Sequence, residues 1–226
     1  MVLRKVTVDP VIRAQFGDSV LADLRAGMWA KDCQTCGRPF GRFDTPAFAV
    51  ESTPLMARAM VHHKRCRPDP WQELSGEIPV STPHLSWRAG TPLYPESTPI
   101  FLANPSLESA VLVRQPDGWR VAELDMWVEL GFSVNWTQQF AVLPGLTATI
   151  TPTAMTVAAQ TSLPGIGFAW SCALTQPSQV AAQITEQGWV MVGVTRRLDF
   201  DALETSTQLM ELLEQGHVAL AMAELS

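Results

Sequence analysis

A chain of 226 residues with 46% hydrophobic and 17% charged side chains can bury a substantial core, which excludes disorder over most of its length. The formal charge of −6 is uneven: residues 1–77 carry eleven Lys/Arg against nine Asp/Glu, whereas residues 78–226 carry five Arg, no Lys and thirteen acids. The second half is therefore a poor surface for phosphate backbones, and no apolar run approaches the roughly 18–20 residues of a spanning helix, so a soluble, cytoplasmic protein with no membrane contact is expected.

The N-terminal arm reads as helix. Asp9 before Pro10 places a capping carboxylate ahead of a proline at the first helical position. Ser19 can cap the segment holding Val20, Leu21 and Leu24, with Gly27 as terminator. Residues 1–75 are thus expected to form N-terminal helices plus a small module that begins at Cys33. Between Gly76 and Pro105 stand six prolines, Pro79, Pro83, Pro92, Pro95, Pro99 and Pro105, which argue against a regular helix or a central strand. Residues 76–105 accordingly read as an extended connector, and residues 106–226 as a mixed α/β domain.

Within that last stretch, Ser109 to Arg114 is a strand candidate followed by an Asp117-Gly118 turn. Residues 119–130 fit a helical face through Val121, Leu124, Trp127 and Val128, and are expected to be helix. Leu146 to Ile150, Met155 to Ala159 and Gly167 to Leu174 read as strands. One unit then occurs twice: Pro177 to Gln187 is a helix ended by Gly188 and followed by the strand WVMVGVT, and Asp201 to Gln215 is a helix ended by Gly216 and followed by HVALAMAEL. Asp201 and Glu204 have capping-box spacing. In the last strand Val218, Leu220 and Met222 alternate with Ala219, Ala221 and Ala223, giving one bulky face and one that admits close packing. The fold class expected is α+β or mixed α/β, a small metal module followed by helices laid on a sheet.

The strongest chemical signal is Cys33, Cys36, His63 and Cys66, a C-x2-C-x26-H-x2-C pattern of four metal-binding side chains within 34 residues. Three thiolates and one imidazole are the donor set of a tetrahedral structural zinc site. A C-x2-C pair suits a tight knuckle, with Thr35 and Gly37 fitting the turn. The i, i+3 spacing of His63 and Cys66 suits the first turn of a helix. So few apolar residues surround the ligands that the metal is expected to replace a core. His62, at x3 spacing from Cys66, competes with His63 for the fourth position.

The stretch from Cys33 to Cys66 resembles a treble-clef zinc finger. It is similar to the first zinc site of LIM domains and, in its long middle loop and H-x2-C ending, to the fingers of poly(ADP-ribose) polymerases. The resemblance implies ligand roles for Cys33, Cys36, His63 and Cys66. It covers residues 33–66 alone, and the second zinc site of LIM modules has no counterpart here.

Four protein ligands saturate a zinc ion and quench its Lewis acidity, so the site reads as structural. The function expected is that of a non-catalytic zinc-containing interaction or scaffold protein with a protein partner. One alternative is a nucleic-acid-associated regulator that uses Lys64, Arg65 and Arg67 beside the ligands, although the acidic second half opposes it. Another is an enzyme with a pocket in residues 100–226, where Cys172, His84 and His217 are the reactive side chains. Cys172 lies in the apolar stretch GFAWSCAL and reads as core. No catalytic residue is assigned. The eight tryptophans are spread along the chain and read as core and contact residues.

Overall fold

The computed structural model describes residues 6–76, 78, 87–91, 99–160, 167–174, 177–198 and 205–226. They form an α+β protein that divides into two compact units. The first takes Met1–Ser86 and Ser106–Glu123, the second Trp87–Pro105 and Leu124–Ser226. The connector prolines Pro79, Pro83, Pro92 and Pro95, together with His84, Asp201 and Glu204, lie outside the described residues.

In the first unit, α1 (Pro10–Gly27) begins as its sequence predicts. Asp9 is extended, and its carboxylate accepts the Val11 N–H at 3.0 Å while Pro10 sits in the first turn. Gly17, at φ 70° and ψ 172°, breaks the helix in two, a conformation that a side chain would strain. The break falls two residues before Ser19, the expected second cap. Ile12, Phe16, Leu21 and Leu24 are buried.

These side chains cover a five-stranded sheet. Strands β1 (Pro46–Ser52) and β2 (Met56–His63) form an antiparallel hairpin in the register Pro46↔His63, with β3 (Trp71–Glu73) parallel to β1. Two later strands complete the sheet: β6 (Ser109–Gln115) pairs with β2, and β7 (Gly118–Val121) pairs with β6. Phe48, Val50, Ala57, Ala59 and Val61 pack with the α1 side chains and with Ala110, Leu112 and Trp119 in one buried cluster. The finger stretch therefore has a hydrophobic core, contrary to the expectation that metal replaces one. The local sequence is too poor for a core because β6 and β7, which supply part of it, come from beyond residue 105.

Residues 119–130 also differ from expectation. Gly118–Val121 is strand, and helix is confined to α2 (Glu123–Glu129). Trp119, with edge contacts to Phe16 and Trp71 at 6.0 and 6.4 Å, is held by the first core, which outweighs the helical spacing of its neighbours. Beside the hairpin, Glu51 accepts from Arg58 at 2.6 Å and from Arg67 at 2.9 Å. Burial raises the Glu51 carboxyl, but these two hydrogen bonds and the charges behind them win and hold its pKa below the usual carboxylate value.

The second unit is built on a seven-stranded mixed sheet in the order β10-β9-β8-β12-β11-β5-β4. Strands β8 (Val142–Ile150), β9 (Ala154–Gln160) and β10 (Gly167–Ala173), the three expected as strands, form an antiparallel meander. Next come β12 (Ala219–Leu225), β11 (Trp189–Val194), β5 (Ile100–Asn104) and β4 (Arg88–Gly90). The stretch expected to be a connector thus holds two strands, and β5 is internal, hydrogen-bonded to β11 and β4. It fits between Pro99 and Pro105, so no missing proline amide falls inside its ladder.

The alternation in β12 is used on both faces. Ala219, Ala221 and Ala223 join Val190, Val192 and Val194 of β11, Val180 and Ile184 of α3 (Pro177–Gln187), and the aromatic side chains of Trp127, Phe132 and Trp170. On the other face Val218 and Leu220 meet Ile100, Leu102 and, from α4 (Thr205–Glu214), Leu209 and Leu213. The sheet is therefore covered by a helix on each side. Helix α4 ends with the Gly216 N–H bonded to the Leu213 carbonyl and the His217 N–H to the Leu212 carbonyl, the paired bonds that close a helix through a glycine.

Candidate metal centre

The first pair of cysteines lies on a knuckle just before the β1–β2 hairpin. The Cys33 N–H donates to the Arg38 carbonyl at 2.9 Å and the Gly37 N–H to the Cys33 carbonyl at 2.8 Å, closing the chain around Cys36. Gly37 has φ 66°, which this closure requires and which a β-carbon would oppose. The Gln34 N–H donates to the Val61 carbonyl at 3.1 Å, so the knuckle is fastened to β2 beside His63.

His63 ends β2 and Cys66 closes the turn after it, its N–H donating to the His63 carbonyl at 2.8 Å. The expected helical first turn is absent. After Cys66 the chain enters no helix before β3, so the ligand pair is presented by a strand end and a turn. Strand alternation then decides between the histidines, because neighbouring residues of β2 face opposite sides of the sheet. His62 is buried with Nδ1 2.7 Å from the Thr35 hydroxyl, and burial, aided by the Arg67 charge, brings its pKa down to about 4. His63 faces the cysteines.

The ligand atoms of Cys33, Cys36, His63 and Cys66 all lie within 4.8 Å of one another, a cluster that could hold a metal ion. His63 Nδ1 is 3.5 Å from the Cys36 sulfur and 3.9 Å from the Cys66 sulfur. Zinc bonds of about 2.3 Å to sulfur and about 2.0 Å to nitrogen, at tetrahedral angles, would place such atoms about 3.6 Å apart. Three soft thiolates and an imidazole suit zinc, and a saturated, closed shell suits a structural role.

Electrostatics around the cluster favour a cation. The Arg38 backbone N–H lowers the Cys36 thiol, and the His63 backbone N–H donates to the Cys33 sulfur at 3.3 Å. Cys66 is pushed the other way, by burial and then by the neighbouring sulfurs of Cys36 and Cys33. Three thiolates would repel in so small a space, and a divalent ion held by Cys33, Cys36, His63 and Cys66 would offset that repulsion.

Asp44 is the participant that sequence reading missed. Its carboxylate is 3.2 Å from His63 Nε2 and also accepts the Gly41 N–H at 2.8 Å, chiefly the latter lowering its pKa. With Nε2–H donated to Asp44, Nδ1 keeps its lone pair toward the sulfurs, the carboxylate–histidine pairing that orients a metal-binding imidazole. Phe40 packs on the same ring at a centroid distance of 4.6 Å. No spacing rule ties Asp44 to His63, since the contact depends on the loop between Gly41 and β1. Asp44→Ala is expected to weaken metal binding at the cluster by about 10- to 100-fold, read by competition against a chromophoric chelator.

The basic flank is divided. Lys64 and Arg65 are exposed, whereas Arg67 donates to Glu51 at 2.9 Å and to Gln72 at 2.9 Å, and is committed to the sheet. Cys172, on β10, has its thiol pushed up to about 12 by burial, which makes it a poor nucleophile at neutral pH. No tryptophan of the chain is exposed, in keeping with core and contact roles. Among the described residues, no helix is long and apolar enough to cross a membrane.

Comparison with protein-family models, curated proteins and solved structures finds no match to this chain.

Proposed function

We propose that this chain is a non-catalytic, cytoplasmic zinc protein that serves as an interaction or scaffold module for another protein, with one structural zinc bound by Cys33, Cys36, His63 and Cys66. The observation that carries the reading is the convergence of the four ligand atoms within 4.8 Å, with His63 oriented by Asp44. A closed shell of four protein ligands leaves no position for substrate or water, so it supports a structural rather than a catalytic ion. Reduced thiols able to bind metal fit a reducing compartment.

The nucleic-acid reading loses one of its three cations, since Arg67 is engaged by Glu51 and Gln72. The enzyme reading loses its thiol, since Cys172 is held protonated. Elemental analysis of protein purified without chelators should give one zinc per chain, with cobalt substitution showing the absorption of a tetrahedral, thiolate-rich site. A metal-free protein, or a cobalt spectrum of an octahedral oxygen site, would refute the assignment.

A further inference from the structure

The turn that orients His63 also carries the most exposed large apolar side chain among the described residues. Phe43 is 93% exposed, with the Arg42 guanidinium 5.9 Å from its ring centroid. Such exposure is not the result of a loose loop. The Asp44 N–H donates to the Gly41 carbonyl at 3.1 Å, the Asp44 carboxylate accepts the Gly41 N–H, and that carboxylate is tied to His63. A β-carbon at Gly41 would stand 3.2 Å from the Asp44 oxygen, so the turn is close-packed as well as hydrogen-bonded. Phe43 is displayed on a small, braced support, and an aromatic ring loses little conformational entropy when it is covered.

Charge indicates what covers it. Arg38, Arg42, Lys64 and Arg65 are all exposed. Arg42 belongs to the turn, Lys64 and Arg65 directly follow His63, and the Arg38 carbonyl accepts the Cys33 N–H at 2.9 Å, so these cations border the metal cluster and the turn. They outnumber the opposing charges there, namely Asp44 and the single negative charge of a zinc ion bound by three thiolates. The patch is basic and local, in a chain whose formal net charge is −6. A short acidic segment with one apolar residue matches both its charge and its single aromatic anchor.

We propose that the Gly41–Asp44 turn, with Phe43, Arg42, Arg38, Lys64 and Arg65, is the docking surface of the finger, and that its partner is a short acidic protein segment carrying an apolar side chain. This rests on the interaction-module reading above and names its partner class. Because Asp44 hangs the turn on His63, docking should also depend on the metal.

The test uses the full-length, zinc-loaded chain and a fluorescently labelled peptide of Asp and Glu around a single Leu, followed by anisotropy. A matching Lys-based peptide and a single-stranded oligothymidylate serve as the other probes, and zinc content is measured on every sample. The expected result is saturable binding of the acidic peptide only, weakened by added salt, about tenfold weaker in Phe43→Ala and at least as impaired in Arg42→Glu/Lys64→Glu, with one zinc retained in each variant. Equal binding by wild type and both variants, or binding of oligothymidylate in place of the peptide, would overturn the proposal. Absence of peptide binding with one zinc present removes the docking surface alone, whereas absence of zinc removes the metal reading beneath it.

Discussion

Cys33→Ser should all but abolish metal binding at the proposed zinc site, with affinity reduced by more than the roughly 100-fold that loss of an orienting residue can cause. Cys33 is completely buried, its sulfur accepts the His63 N–H, and its backbone closes the knuckle through Arg38. The structural consequence should be local. Loss of an apparent zinc-binding free energy of about 10–16 kcal/mol unfolds a finger that has no other support, but here Phe48, Val50 and Val61 belong to a cluster that includes α1, β6 and β7. Hydrogen exchange of the variant, or of chelated wild type, should accelerate over the knuckle, the Gly41–Asp44 turn and Cys66, while the amides of β1, β2 and β6 stay protected. Collapse of protection across the whole five-stranded sheet would show instead that the metal, and not this core, holds the first unit.

The second large effect is expected in the other unit. Trp127 is 3% exposed and touches Phe132, Phe168 and Trp170 at centroid distances of 5.3, 5.4 and 5.4 Å. It is the side chain by which α2 enters the core formed with the alanine face of β12. Truncating it removes a large buried surface and leaves a cavity among rigid aromatic neighbours that are already packed on one another. Trp127→Ala should cost about 3–5 kcal/mol, a large part of the stability of an ordinary domain. The measurement is exchange protection in β8, β11 and β12 against that in β1 and β2, because two units with separate cores need not unfold together. Loss confined to the second sheet is the expected outcome, and unchanged protection there would contradict it.

How much of this was legible in the sequence depended on the range of the contacts involved. Local chemistry was readable: the Asp9-Pro10 helix start, the glycine-ended helix α3, and the β12 alternation each follow from neighbours a few residues apart. So was the cluster of Cys33, Cys36, His63 and Cys66, because ligand type and short spacing carry its signal. What could not be read was pairing across long separations. Met60 opposite Ser109 joins the finger hairpin to β6, and Met191 opposite Ile100 places β5 inside a sheet whose other strands, apart from β4, follow residue 140. The helical spacing at residues 119–130 was overridden by the place Trp119 finds beside Phe16. Asp44 was missed for the same reason, since its role exists only once the loop before β1 is closed onto His63.

The chain passes from one unit to the other and back, the first being completed by Ser106–Glu123 after β5 has already been laid into the second. During synthesis, the hairpin that ends in His63 must therefore wait, with one edge of β2 unpaired, until the ribosome has released β6, which ends at Gln115. A gene truncated near Pro105 would encode that open edge permanently, and one begun there would encode β6 and β7 without the sheet they belong to. Neither unit is one continuous segment of the chain, so a cut at that point, where a sequence reader would place the domain boundary, leaves both incomplete.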